Sequence, residues 1–175
     1  LALTAMNKLL TDNPLPNCKF GGANVVVPQK KIKWTNFHAL AVSDDSPIKP
    51  ERTIATLRKL LDDDAIIVAD PGTPCPYVSA FYEIRTIGRT FISNRAHGAL
   101  GYAMSAAMGA HIGRPEKKVV AIMGDGSFGF TCGELETVVR KNMPITFIVL
   151  SNAAFGWIKA GQRSSFEGRY FSVDF

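Results

Sequence analysis

The chain has 175 residues, 46% apolar and 20% charged, enough to bury one substantial core and ordinary for a globular protein in water. No apolar stretch approaches the ~18 residues of a membrane span, and Leu1-Ala2-Leu3 has no basic signal-peptide start, so the expected setting is soluble and cytoplasmic, with no membrane partner. The net charge is +5, and its one local basic run, Lys30-Lys31-Lys33 beside Trp34, is too small for a nucleic-acid surface and reads as a solvated loop or strand edge.

In chain order, apolar residues at helical spacing predict a helix over 1–10, ended by Asn13-Pro14-Leu15-Pro16-Asn17. Residues 20–50, with Gly21-Gly22, Val25-Val26-Val27, Pro28 and Pro47, read as irregular linker with one or two short strands. A helix over 52–61 follows, with Ile54, Leu57, Leu60 and Leu61 on one apolar face. Asp62-Asp63-Asp64 closes it as a solvated turn, because three adjacent carboxylates point in different directions. The continuous apolar run Ala65–Ala69 predicts a buried strand, with Asp70-Pro71-Gly72-Thr73 as the loop at its carboxyl end. Residues 92–110 are dense in Gly and Ala, so a helix there needs tight backbone packing to offset its low propensity. Val119–Met123 is a second strand, followed by Gly124-Asp125-Gly126-Ser127 and a helix from Cys132 to Lys141 whose Leu135, Val138 and Val139 face the sheet. Ile145–Leu150 is a third strand, ending in Ser151-Asn152. The expected fold is α/β, a doubly wound, mostly parallel sheet with helices on both faces and a ligand crevice at the carboxyl ends of the strands. Residues 1–47 are expected to be the end of a preceding domain and a linker, and 48–175 the main domain, truncated at its carboxyl end, because the chain starts with Leu1 and stops at Phe175 without a polar tail.

Cys18, Cys75 and Cys132 are an odd number without CxxC pairing, which argues against a disulfide framework and a zinc site. Asp125 and Asn152 lie 27 positions apart, each at the carboxyl end of a strand. If those strands are parallel neighbours, carboxylate and amide carbonyl converge on a point able to hold a hard cation such as magnesium, which takes one or two carboxylates and fills its other sites with phosphate, carbonyls and water. Glu134 and Glu136 read as solvent-facing carboxylates in a helix first turn, and His97, the one histidine near enough to the crevice to approach it, reads as locally hydrogen-bonded in preference to contacting cofactor or substrate. A magnesium-dependent nucleotide domain of another kind is disfavoured, since GxxxxGK[ST] does not occur.

The segment GDGSFGFTCGELETVVRKNMPITFIVLSN, residues 124–152, resembles the cofactor motif of the thiamine diphosphate (ThDP) enzymes of the acetolactate synthase and 2-oxo acid decarboxylase type, at the spacing that family uses. The resemblance implies ThDP and Mg2+ as cofactors and identifies 48–175 with the diphosphate-binding domain. It implies Asp125, Asn152 and the main-chain carbonyl of Ala154 as metal ligands, with Gly124, Gly126 and Ser127 around the diphosphate. Leu100 corresponds to the bulky apolar residue beneath the bent cofactor, and Gly72-Thr73 to a loop beside it. The catalytic glutamate belongs to a pyrimidine-binding domain or subunit outside this chain, in an enzyme that is a homo-oligomer, dimer or tetramer, acting on a small molecule. Two departures stand out: Ser151 replaces the first Asn of an Asn-Asn pair, and Gly72-Thr73-Pro74 replaces Gly-Gln-His, removing two contacts of which Thr73 can replace one. The implied activity is that of a ThDP-dependent lyase or carboligase for a 2-oxo acid or related acyl donor; the alternative is a non-catalytic or degenerate ThDP-binding module.

Overall fold

A computed structural model describes residues 1–14 and 22–175; Leu15, Pro16, Asn17, Cys18 and Gly21 lie outside the described residues. The chain divides into two compact units, 1–39 and 40–175. In the first, α1 spans Ala2–Asp12, and α2, beginning at Gly22, continues to Ala41. The irregular linker expected over 20–50 is therefore replaced, over 22–41, by a twenty-residue helix. Triple valine, glycine and Pro28 argue locally against it, but the propensity of the good helix formers that follow, Gln29 to Lys33 and Ala39 to Ala41, prevails. Trp34 meets Phe37 edge-on at 5.4 Å and stacks on His38 at 5.7 Å, the i,i+3 and i,i+4 neighbours of a helix surface. Lys30, Lys31 and Lys33 thus sit on a helix, not on a loop or strand edge.

The second unit carries α3 (Pro50–Leu60), β1 (Ile66–Ala69), α4 (Pro74–Phe81), β2 (Phe91–Ile92), α5 (Tyr102–Gly113), β3 (Val119–Gly124), α6 (Asp125–Thr131), a 3-10 turn (Cys132–Glu134), α7 (Leu135–Arg140), β4 (Ile145–Leu150) and α8 (Gly156–Ser165). The four strands are all parallel in the order β2-β1-β3-β4, the α/β arrangement read from the alternating apolar runs. The chain leaves β1 outward to β2, then returns across β1 to β3. The carboxyl ends of β1 and β3 therefore flank the point where strand order reverses, and a crevice opens there.

Pleating sorts the core. Ile66, Val68, Val119, Ala121 and Met123 pack with Ala103, Met104 and Ala107 of α5, so the small residues of that helix let it lie close to the sheet. Ile67, Val120 and Ile122 point to the opposite face and are equally buried, and α4, which the sequence reading passed over, packs against β1 and β3. Two helix faces are narrower than periodicity predicts: Ile54, Leu57 and Leu61 are buried but Leu60 is 73% exposed, and Val138 is buried while Val139 is 73% exposed. The helix expected from Cys132 begins instead at Asp125, broken by the 3-10 turn into α6 and α7, and α5 begins only at Tyr102. Asp62-Asp63-Asp64 is the expected turn, with Asp63 paired to Arg58 and Arg85 and Asp64 to Lys117. Among the described residues no cluster of three His, Cys, Asp or Glu side chains could hold a metal ion, and no helix is long and apolar enough to cross a membrane.

Candidate functional site

A cleft of about 690 Å³ lies across the carboxyl ends of the strands, lined among others by Gly72, Thr73, Leu100, Asp125, Asn152 and Trp157. Register explains the first convergence: Gly124 of β3 pairs with Leu150 of β4, so the next residues, Asp125 and Ser151, leave the sheet side by side. The Asp125 carboxylate turns onto the β4 loop, where its Oδ2 accepts hydrogen bonds from the Ser151 hydroxyl (3.0 Å), the Asn152 amide (2.8 Å) and the Ala153 amide (2.7 Å). Its Oδ1 accepts from the Gly126 amide at 2.9 Å. Partial burial pushes the carboxyl upward, but these bonds, that from Asn152 first, outweigh it and hold Asp125 below the usual carboxylate range. Ser151, which replaces an amide side chain, thereby takes a defined role as a donor to Asp125.

The β4 loop is folded tightly. Asn152 Oδ1 accepts from the Ala154 amide (3.2 Å), Ala154 carbonyl accepts from the Gly156 amide (2.8 Å), and Ala153 adopts a left-handed φ of 52°. Asn152 Oδ1 and the Ala154 carbonyl each have one recorded donor, leaving a second lone pair on each, as on Asp125 Oδ1. Residues 173–175 hold this loop from outside: the Phe155 amide donates to Val173 (2.8 Å) and the Phe175 amide to Ala153 (3.1 Å), forming an antiparallel bridge between Ala154 and Asp174. A Cβ on Gly156 would lie 2.6 Å from Asn152 Nδ2, and one on Gly126 would lie 2.6 Å from the Phe155 ring, so the β4 loop folds this tightly, and the start of α6 approaches it this closely, only because these positions lack side chains.

Leu100 sits in the loop before α5, half-buried on the cleft wall and outside the α5–sheet core; its Cδ2 would be 3.6 Å from a Cβ on Gly72. Thr73 Oγ1 lies 3.5 Å from where a Gly156 Cβ would be, which places it at the Asn152 side of the cleft. Gly72, Thr73, Leu100, Gly124, Asp125, Gly126, Ser127, Asn152 and Ala154 thus share one cleft. The Ser127 side chain differs from its neighbours: it is 3% exposed and its hydroxyl donates to Asp70 Oδ1 at 2.7 Å, so its amide is the group left for a ligand. Glu134 and Glu136 are exposed, bonded to Thr137 and Arg140, and His97 is exposed and does not line the cleft. Reading the sequence missed Asp70, Phe155 and the 173–175 strap. An Asp directly after a buried apolar strand, the pattern that singles out Asp125, was the available signal for Asp70.

Residues 124–129 also satisfy Gly-x-Gly-x-x-Gly, the dinucleotide-loop pattern, so the motif alone leaves two ligand classes open. A family model, that of the C-terminal TPP binding domain of thiamine pyrophosphate enzymes, matches residues 70–175, which include Asp70 and every site residue from Gly72 to Ala154. The chain belongs to that family. Thiamine pyrophosphate, or ThDP, is accordingly the ligand class of this domain. Among similar proteins are the probable acetolactate synthase large subunit of Methanococcus aeolicus, 31% identical over 137 residues (75% of this chain, 23% of the relative), and the acetolactate synthase of Mycobacterium avium, 35% identical over 130 residues (74% and 21%). A mitochondrial acetolactate synthase catalytic subunit of Saccharomyces cerevisiae is 31% identical over 144 residues (79% and 21%). The chain spans less than a quarter of the length of these relatives.

Proposed function

We propose that this domain anchors ThDP through a magnesium ion held by Asp125, Asn152 and the Ala154 carbonyl, and that it does so within an acetolactate synthase-like lyase or carboligase acting on a 2-oxo acid or related acyl donor. One observation carries the reading. Asp125 is the only charged side chain lining the cleft, which has no Lys, Arg or His among its described residues. A carboxylate facing a diphosphate without a basic side chain requires a cation between them, and one carboxylate with two carbonyl oxygens is the hard, oxygen-only donor set magnesium takes, phosphate oxygens and water completing its shell. The Ser127 amide then faces the diphosphate, the Gly126 amide steadies the Asp125 carboxylate beside it, and Leu100 supports the bend of the cofactor. Bound ThDP supplies the electron sink for breaking a bond beside the substrate carbonyl. The activating glutamate comes from a pyrimidine-binding domain or subunit, and the complete enzyme is a homo-oligomer.

The test is titration of the full natural protein with ThDP, with magnesium or with chelator. Asp125→Ala should lower magnesium-dependent affinity by two orders of magnitude, about 3 kcal/mol; Asp63→Ala should leave it unchanged. Equal binding by wild type with magnesium and with chelator refutes the cation bridge. Gly72-Thr73-Pro74, where the resembled enzymes carry Gly-Gln-His, favours a second reading, a module that binds ThDP without turnover. Carbon dioxide release from pyruvate separates the two.

A further inference from the structure

We infer that Asp70 is a positioning residue that locks the Leu100 loop and the first turn of α6 at Gly126–Ser127 into one register, and so sets the shape of the ThDP cleft; this rests on the proposed cofactor site. Asp70 directly follows β1 at the switch point of the sheet, is 0% exposed and does not itself line the cleft. Its main chain is fixed by a bond from its amide to the Ile122 carbonyl of β3 at 2.9 Å. Its carboxyl accepts three bonds from two distant segments: Oδ2 from the Gly101 and Ala103 amides (3.0 and 3.1 Å), Oδ1 from the Ser127 hydroxyl (2.7 Å).

Each partner borders a cofactor-facing group. Gly101 follows Leu100 directly and has φ of +89°, and a Cβ there would meet Thr131 Cγ2 of α6 at 2.7 Å. Thr131 in turn donates to the Gly101 carbonyl at 3.3 Å. The turn that presents Leu100 is therefore clamped between Asp70 and α6. On the other side, the bond from Ser127 commits its hydroxyl to Asp70, so the amide is the group this residue can offer a ligand. A buried carboxyl with three donors costs little while all are present, and leaves unpaired polar groups when it is removed. The Leu100 loop and the start of α6 can then move independently of each other.

The experiment is a ThDP titration of the full natural protein, at saturating magnesium and well below the unfolding temperature, for wild type, Asp70→Asn, Asp70→Ala, Ser127→Ala and the Asp70→Ala/Ser127→Ala pair. Asn keeps an oxygen for the two amides and can donate to the Ser127 hydroxyl, so Asp70→Asn should bind within about threefold of wild type. Asp70→Ala should weaken ThDP at least about tenfold, and adding Ser127→Ala should cost little more, since both act through one joint. A folded Asp70→Ala with wild-type affinity, or additive losses, overturns the inference. If Asp70→Ala does not fold, Ser127→Ala decides alone: affinity lowered several-fold supports the joint, and unchanged affinity rejects it. Asp125→Ala is run in parallel. Loss of binding there with wild-type binding by Asp70→Ala sinks only the positioning role, whereas no binding by wild type itself sinks the cofactor site.

Discussion

Gly126→Ala offers the sharpest test of how the start of α6 and the β4 loop fit together. The added Cβ would lie 2.6 and 2.9 Å from Cε1 and Cδ1 of Phe155 and 3.2 Å from Cζ of Phe175, where ordinary contact begins near 3.4 Å. The Phe155 ring must therefore retreat by the better part of an ångström. It is not free to do so: it meets Phe175 edge-on at 5.0 Å, leans on Phe130 at 6.3 Å, and its own amide is bonded to Val173. Overpacking of this kind costs about 1–3 kcal/mol, and disturbing the aromatic contacts places the cost in the upper half of that range. Against this, Ala in place of Gly in a helix gains about 1 kcal/mol. The net loss should be about 1–2 kcal/mol, read from amide hydrogen exchange of β3 and β4 in the full natural protein. In a Phe155→Ala background the two shortest contacts are gone and only the 3.2 Å approach of Phe175 is left, so the same substitution should cost at least about 1 kcal/mol less than in wild type. An equal loss in both backgrounds would show that the absent side chain at 126 serves something other than the approach of Phe155.

Leu100→Ala should cost less than about 1.5 kcal/mol of stability, because Leu100 lines the cleft, whereas Met104→Ala, in the buried face of α5, should cost about 2–5 kcal/mol; ThDP affinity should reverse that order, and thermal unfolding with parallel titrations checks both. Asp125 is held below the usual carboxylate range, so its contribution is present in full above the unfolded carboxyl pKa of about 3.9 and is lost as pH falls through the lower folded value. The stability gap between wild type and Asp125→Asn, measured without metal by urea unfolding, should accordingly be constant above about pH 5 and shrink below about pH 4; a gap that widens on acidification contradicts the assigned bonds.

The sequence by itself determined what depends on local pattern. Continuous apolar runs specify β1 and β3, because strands buried on both faces of a parallel sheet need apolar residues at every position, while β4, at the sheet edge, keeps Thr146 and Val149 exposed; the spacing of 27 positions from Asp125 to Asn152 suffices for a broken helix and one strand, which returns the chain beside itself. Where helices pack edge-on the pattern runs out: Leu60 and Val139 satisfy the periodicity and are exposed, since spacing defines a face but not its width. The site divides in the same way. Asp125, Asn152 and Leu100 are legible as points along a motif. The contacts that hold them are not, for Asp70 meets Gly101 and Ser127 across 31 and 57 positions, and Gly126 admits Phe155 and Phe175 from segments far along the chain. Only the reversal of strand order at β1 and β3 brings those segments to one rim, where close packing and hydrogen-bond satisfaction, which are properties of several chain segments at once, decide the geometry.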